Sequence, residues 1–162
     1  MDEFVNADTI ALGLSAYRPE AAAVAAGRVM LVRLRFLARE RRDFAFETTL
    51  SGRGHARWLR SLRTGGYRVH LIFLALPTAD LAVLRVQMRV RGGGHDVPES
   101  IVRRRFAAGL RNFVHVYSGI ADSWQVYDNS GVRGPRLIAA RALAGETSVN
   151  DHMAWTRIQE TQ

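Results

Sequence analysis

The stretch FAFETTLSGRGHARWLRSL, Phe44 to Leu62, decides the fold. With Asp43 it opens as the apolar strand DFAFET and turns polar at Glu47, Thr48 and Thr49. It then passes without a linker into a helix predicted from about Arg53 to Leu62, stopped by Gly65 and Gly66. A strand that ends on a carboxylate and two hydroxyls and runs into a helix is half of a β–α unit. In open α/β sheets, ligands bind outside the carboxyl ends of such strands. Glu47, Thr48 and Thr49 are therefore expected to meet substrate hydroxyls or a metal-bound water. Thr49 or Ser51 could instead cap the helix by accepting from its first amides, and one residue can cap while its neighbour faces a ligand.

The same alternation extends in both directions. EFVNAD, Glu3 to Asp8, reads as the first strand, and after a turn at Pro19 a helix is predicted over Glu20–Arg42, with Ala26, Met30, Leu34 and Leu37 on one face. YRVHLIFLAL, Tyr67 to Leu76, reads as a strand covered on both faces. Thr78 is expected to cap a helix reaching about Arg91. GGGHDVPES then breaks the chain, and Pro98 opens a helix to about Tyr117 with Phe106, Leu110, Phe113 and Tyr117 on one side. SWQVYDNS is the fourth strand, with Trp124 and Tyr127 in the core. RLIAAR and a short helix capped by Asn150 close the chain. The expectation is one α/β domain, residues 1–162, on a parallel sheet.

Composition narrows the function classes. Nearly half of the 162 residues are apolar and none is cysteine, which excludes a disulfide scaffold and thiolate metal sites and suits the cytoplasm. The acidic start lacks a signal-peptide pattern, and the run Leu71–Leu76 is too short to cross a bilayer, so no membrane partner is expected. The formal charge of +8 comes entirely from arginine on the basic side, because the chain contains no lysine. Arginine suits phosphates and carboxylates, so an anionic partner is expected; a GC-rich coding sequence would give the same bias.

Several side chains stand out. Asp8, at the end of the first strand, can take a proton from a substrate hydroxyl or hold a divalent cation through water, or can cap the next turn with help from Asn6. Arg85, Arg89 and Arg91 end one helix, and Arg103, Arg104 and Arg105 begin the next. With Gly92, Gly93 and Gly94 as a hinge, the pair reads as a lid over phosphates, against the plainer reading of a solvated basic face. His95 is a base, a metal ligand or a loop hydrogen-bond partner, with no second histidine at ligand spacing. His55, His70, His115 and His152 are scattered and receive no role. YDNS, Tyr127 to Ser130, is a turn or part of a nucleotide-base pocket.

Taken in order, FVNADTIA, FAFETTLSGR, GYRVHLIFL, RVRGGGHDVPESIVRRRF and DSWQVYDNS resemble the zeta toxin family of P-loop kinases, from about Phe4 to Ile138. The resemblance implies a three-layer αβα parallel sheet with an arginine-rich helical lid. It further implies transfer of phosphate from ATP with magnesium to a hydroxyl, the acceptor being a nucleotide sugar such as UDP-N-acetylglucosamine. It makes Asp8 the general base and Arg91 and Arg104 the catalytic phosphate-facing arginines, with Arg89 and Arg105 as close alternatives. Glu47 and Thr48 become acceptor contacts, and Asp128 and Asn129 lie near the adenine. An antitoxin protein is the implied partner. Nucleic acid is disfavoured, for want of an aromatic stacking platform.

One departure from the family pattern stands out. No G-x-x-x-x-G-K-[ST] occurs, as it cannot in a chain without lysine, and the strand that precedes that motif in the family has no counterpart here. The expectation is an N-terminally truncated kinase domain, inactive and poorly stable alone, with two apolar strands flanking the missing central one. The rival expectation is a non-catalytic module that binds an anion, nucleic acid or a partner protein.

Overall fold

The chain divides at Thr48 in the computed structural model, which describes residues 3–94 and 96–161; Met1–Thr48 and Thr49–Gln162 each form a separate unit.

In the first unit, β1 (Glu3–Val5) and β2 (Phe44–Phe46) pair in parallel, with Glu3 opposite Phe44 and Val5 opposite Phe46. Parallel strands require a crossover, here α1 (Ala7–Leu14) followed by α2 (Pro19–Arg39). Ala26, Met30, Leu34 and Leu37 are buried, as their helical spacing predicts. Glu3 pairs with Arg33 at 3.0 Å and with Arg42 at 3.1 Å, which ties β1 to α2 and to the turn after it. That turn is a Schellman motif: Arg41 N–H donates to the Ala38 carbonyl and Arg42 N–H to that of Leu37. The left-handed position, usually glycine, is held by Arg41 at φ 57°. The first strand is shorter than expected. It stops at Val5 because Asn6 caps α1, so Asp8 lies in a helix and not at a strand end.

The second unit holds β3 (His70–Ala75), β4 (Ser123–Asp128), β5 (Arg136–Arg141) and β6 (Thr147–Val149), in that spatial order. β3 and β4 are parallel, but β4–β5 and β5–β6 are antiparallel. The sheet is therefore mixed and not parallel throughout, because the short link 129–135 is a hairpin connection with no room for a crossover helix. β2 and β3, between which the resemblance sets a further strand, belong to different sheets. β3 is not covered on both faces either. Leu71, Phe73 and Ala75 turn to the core, whereas Ile72 and Leu74 are 57% and 51% exposed. A parallel strand that alternates in this way is buried on one side only.

The helices of this unit are α3 (Gly54–Thr64), α4 (Ala79–Arg91), α5 (Glu99–Asn112), α6 (Ser118–Ile120) and α7 (His152–Gln159). Thr78 caps α4 through its hydroxyl as expected, while α7 is capped by Asp151 and not Asn150. α5 runs into a π-helical turn, Phe113–Tyr117, before α6. Phe113 and Tyr117 are among the most buried side chains. Phe113 stacks on Phe73 at 4.7 Å and meets Trp124 edge-on at 5.8 Å, and Trp124 stacks on Trp155 at 5.2 Å. Among the described residues no helix is long and apolar enough to cross a membrane.

Candidate functional site

Because β1 and β2 are parallel and in register, their carboxyl ends lie side by side, and Asn6 follows one as Glu47 follows the other. Asn6 uses its whole carboxamide there. Oδ1 accepts from Asp8 N–H at 2.7 Å and from Thr9 N–H at 3.1 Å, which caps α1, while Nδ2 donates to Glu47 Oε2 at 2.8 Å. One side chain thus fixes both the turn that carries Asp8 and the Glu47 carboxylate. Asp8, Glu47 and Thr48 are all exposed. The cap is Asn6, so Asp8 is released from that duty. The sequence signal for this cap is the pattern Asn-Ala-Asp-Thr ahead of an apolar run.

In the second unit, the hydroxyls of Thr49 and Ser51 bond each other at 2.8 Å and do not cap α3, whose N-cap position makes no side-chain cap bond. The following residues are held from beneath by α5 and the π-helical turn. Asn112 Nδ2 donates to the Leu50 carbonyl at 2.8 Å, Arg53 Nε donates to Asn112 Oδ1 at 3.0 Å, and Tyr117 Oη donates to the Gly52 carbonyl at 2.6 Å. Burial pushes the Tyr117 phenol above its usual range, while the His55 amide and the nearby Arg53 charge oppose the shift. Burial also lowers the pKa of His55.

α4 packs on α5, and Arg103 joins them by bonding Asp80 at 2.6 Å and Glu99 at 2.7 Å. These two carboxylates raise the pKa of Arg103 still further. Arg89, Arg91, Arg104 and Arg105 are exposed, and no carboxylate among the described residues pairs with them. The glycines between the helices do more than loosen the chain. Gly93, at φ 88°, sits in the left-handed position of a Schellman motif, with Gly93 N–H on Val90 and Gly94 N–H on Arg89. A Cβ on Gly94 would lie 2.6 Å from Arg89 Cγ, so the backbone folds back tightly onto that arginine. Gly92, Gly93 and Gly94 thus close the end of α4. His95 lies outside the described residues.

Asp128 ends β4, where its Oδ1 accepts from Ser130 N–H at 2.9 Å and its Oδ2 meets Arg136 at 3.3 Å. Bonds from Ser130, then Arg136, hold its carboxyl below the usual range against the opposing effect of burial. Arg136 also reaches Asp151 at 3.0 Å. Tyr127 and Asp128 thus close β4, and the Asp128 carboxylate accepts from the backbone just beyond it. Asn129 N–H extends the strand pairing by donating to Ala75 at 2.9 Å. Among the described residues no group of three or more histidine, aspartate or glutamate side chains could hold a metal ion.

Residues 20–133 match the family model described as Zeta toxin. A Haemophilus influenzae protein described as uncharacterized is 28% identical over 102 residues, covering 63% of this chain and 73% of its own. No solved structure matches. The family match takes in Glu47, Thr48, Arg89, Arg91, Arg104, Arg105, Asp128 and Asn129, with Asp8 just outside it. Since it spans well over half of the 162 residues, the chain belongs to the zeta toxin family, a membership that carries a kinase-like, nucleotide-binding function.

Proposed function

We propose that this chain carries the acceptor side of a zeta-toxin-like phosphotransferase, with a hydroxyl of a nucleotide sugar such as UDP-N-acetylglucosamine as the acceptor. The observation that carries this reading is the Asn6 bridge, which holds the Glu47 carboxylate beside the turn that bears Asp8. In this reading Asp8 takes the proton of the acceptor hydroxyl, and Glu47 and Thr48 orient the sugar by hydrogen bonds. Arg91 and Arg104, with Arg89 and Arg105, offset the charge of the phosphates, and Asp128 and Asn129 flank the base. ATP supplies the phosphoryl group. The four exposed arginines suit its triphosphate, but none of the 162 residues offers the lysine of a P-loop, so these residues by themselves should transfer phosphate far below a complete kinase.

Calorimetric titration with UDP-N-acetylglucosamine tests the acceptor. Binding that weakens about tenfold or more in Glu47→Gln supports the reading, because a charge-assisted hydrogen bond is lost. No heat at millimolar ligand overturns it. Asp8→Asn in a form with measurable transfer should abolish the reaction while sparing acceptor affinity.

The four exposed arginines also favour a second reading, a non-catalytic module for an anion, nucleic acid or an acidic partner such as an antitoxin. Steeply salt-dependent binding to a polyanion, unaffected by Asp8→Asn, would select it.

A further inference from the structure

We propose that Asn112 is the positioning residue of the loop Thr49–Arg53, with Tyr117 as the second hold, and that this loop orients the acceptor through the Thr49 and Ser51 hydroxyls. The acceptor role rests on the function proposed above; the hold on the loop rests on geometry alone.

The loop needs holding. Leu50 has φ 52°, a left-handed conformation unfavourable for a branched side chain, yet it is only 4% exposed and anchored in the core. Asn112, itself 4% exposed, satisfies the Leu50 carbonyl with its nitrogen and fixes Arg53 with its oxygen. Tyr117 satisfies the Gly52 carbonyl. At Gly109 the helix touches the loop directly: a Cβ there would sit 2.7 Å from the Thr49 carbonyl oxygen, so only glycine permits the approach.

The π-helical turn makes the double hold possible. In an α-helix, residues five apart are rotated about 140° past a full turn, so Asn112 and Tyr117 would face different ways. The wider turn over Phe113–Tyr117 brings both to one side, facing the same loop. With the inner side of the loop bonded, its outer side presents the Thr49–Ser51 hydroxyl pair, whose mutual bond an incoming sugar hydroxyl can replace.

The test compares wild type with Asn112→Asp and Tyr117→Phe, both close in shape to the native residue, by hydrogen–deuterium exchange and by UDP-N-acetylglucosamine titration. Amides 49–56 should exchange about tenfold faster or more in both variants while the β3–β4 amides stay protected, and acceptor affinity should fall in parallel. Unchanged exchange at 49–56 in folded variants overturns the positioning role. Faster exchange with unchanged affinity overturns the link to the acceptor. If wild type itself binds no UDP-N-acetylglucosamine, the acceptor reading and the loop's acceptor role both fall, while the exchange data still decide the hold on the loop.

Discussion

Asn6 and Glu47 are 41 positions apart in sequence and joined by a 2.8 Å hydrogen bond at the carboxyl edge of β1 and β2. Because the same asparagine caps α1, Asn6→Ala should cost about 1 kcal/mol, roughly 2–4 °C in Tm, and should also free the Glu47 carboxylate. Asn6→Asp keeps the cap but sets two carboxylates face to face. Melting temperature near wild type together with weaker acceptor binding in Asn6→Asp would separate the two duties; acceptor binding unchanged at an unchanged melting temperature would show that the asparagine is a cap only.

Arg41 occupies a left-handed helix end at φ 57°. Glycine removes a strain of about 1–2 kcal/mol at such a position and returns part of it as unfolded-state entropy. Arg41→Gly should therefore raise stability by up to about 1 kcal/mol, read as a higher urea midpoint at unchanged slope. A lower midpoint would mean that the contacts of the arginine outweigh the strain.

Gly109→Ala should be among the most damaging small substitutions in the second unit. The added methyl meets backbone, not a movable side-chain tip, at 2.7 Å. Overpacking of this kind costs about 1–3 kcal/mol, measurable by chemical unfolding. Gly27, whose Cβ would meet nothing within 4 Å, is the control. There, inside α2, alanine should stabilise by up to about 1 kcal/mol.

His55 sets a pH dependence. Burial lowers its folded pKa below the ordinary 6.5, so between the two values the unfolded chain binds more protons. Stability should be full above pH 6.5 and decline as pH falls through the folded value. His55→Gln should flatten that part of the curve, as followed by urea unfolding at a series of pH values, while an unchanged slope would assign it to another group. Asp128, held below the usual range by Ser130 and Arg136, acts at lower pH: its contribution is present above about pH 4 and is lost on further acidification.

Much of the secondary structure was legible because it is written in local pattern. The buried stripe of α2, the Thr78 cap, the glycine stop after α3 and the two arginine-bearing helices follow from spacing and cap chemistry. The misreadings have local causes too. Ala7 and Asp8 read as the end of a strand because Phe4 and Val5 run into them, whereas the Asn6 cap starts α1 there. β6 is too short to show a period.

The sequence by itself determined the family and the identity of the candidate residues, since motifs such as FETTLS and GGHDVPE depend only on order along the chain. It also determined that no lysine can serve as a phosphate ligand within these residues. Tertiary structure alone decided the partners: that Asn6 holds Glu47, that Asp128 is held by a turn and Arg136, and that Asn112 and Tyr117 grip one loop. The Asn6, Asn112 and Tyr117 bonds join residues tens of positions apart, through strand register and one π-helical turn. Neither leaves a periodic trace in composition, because each is fixed by where backbone carbonyls fall once the core has packed.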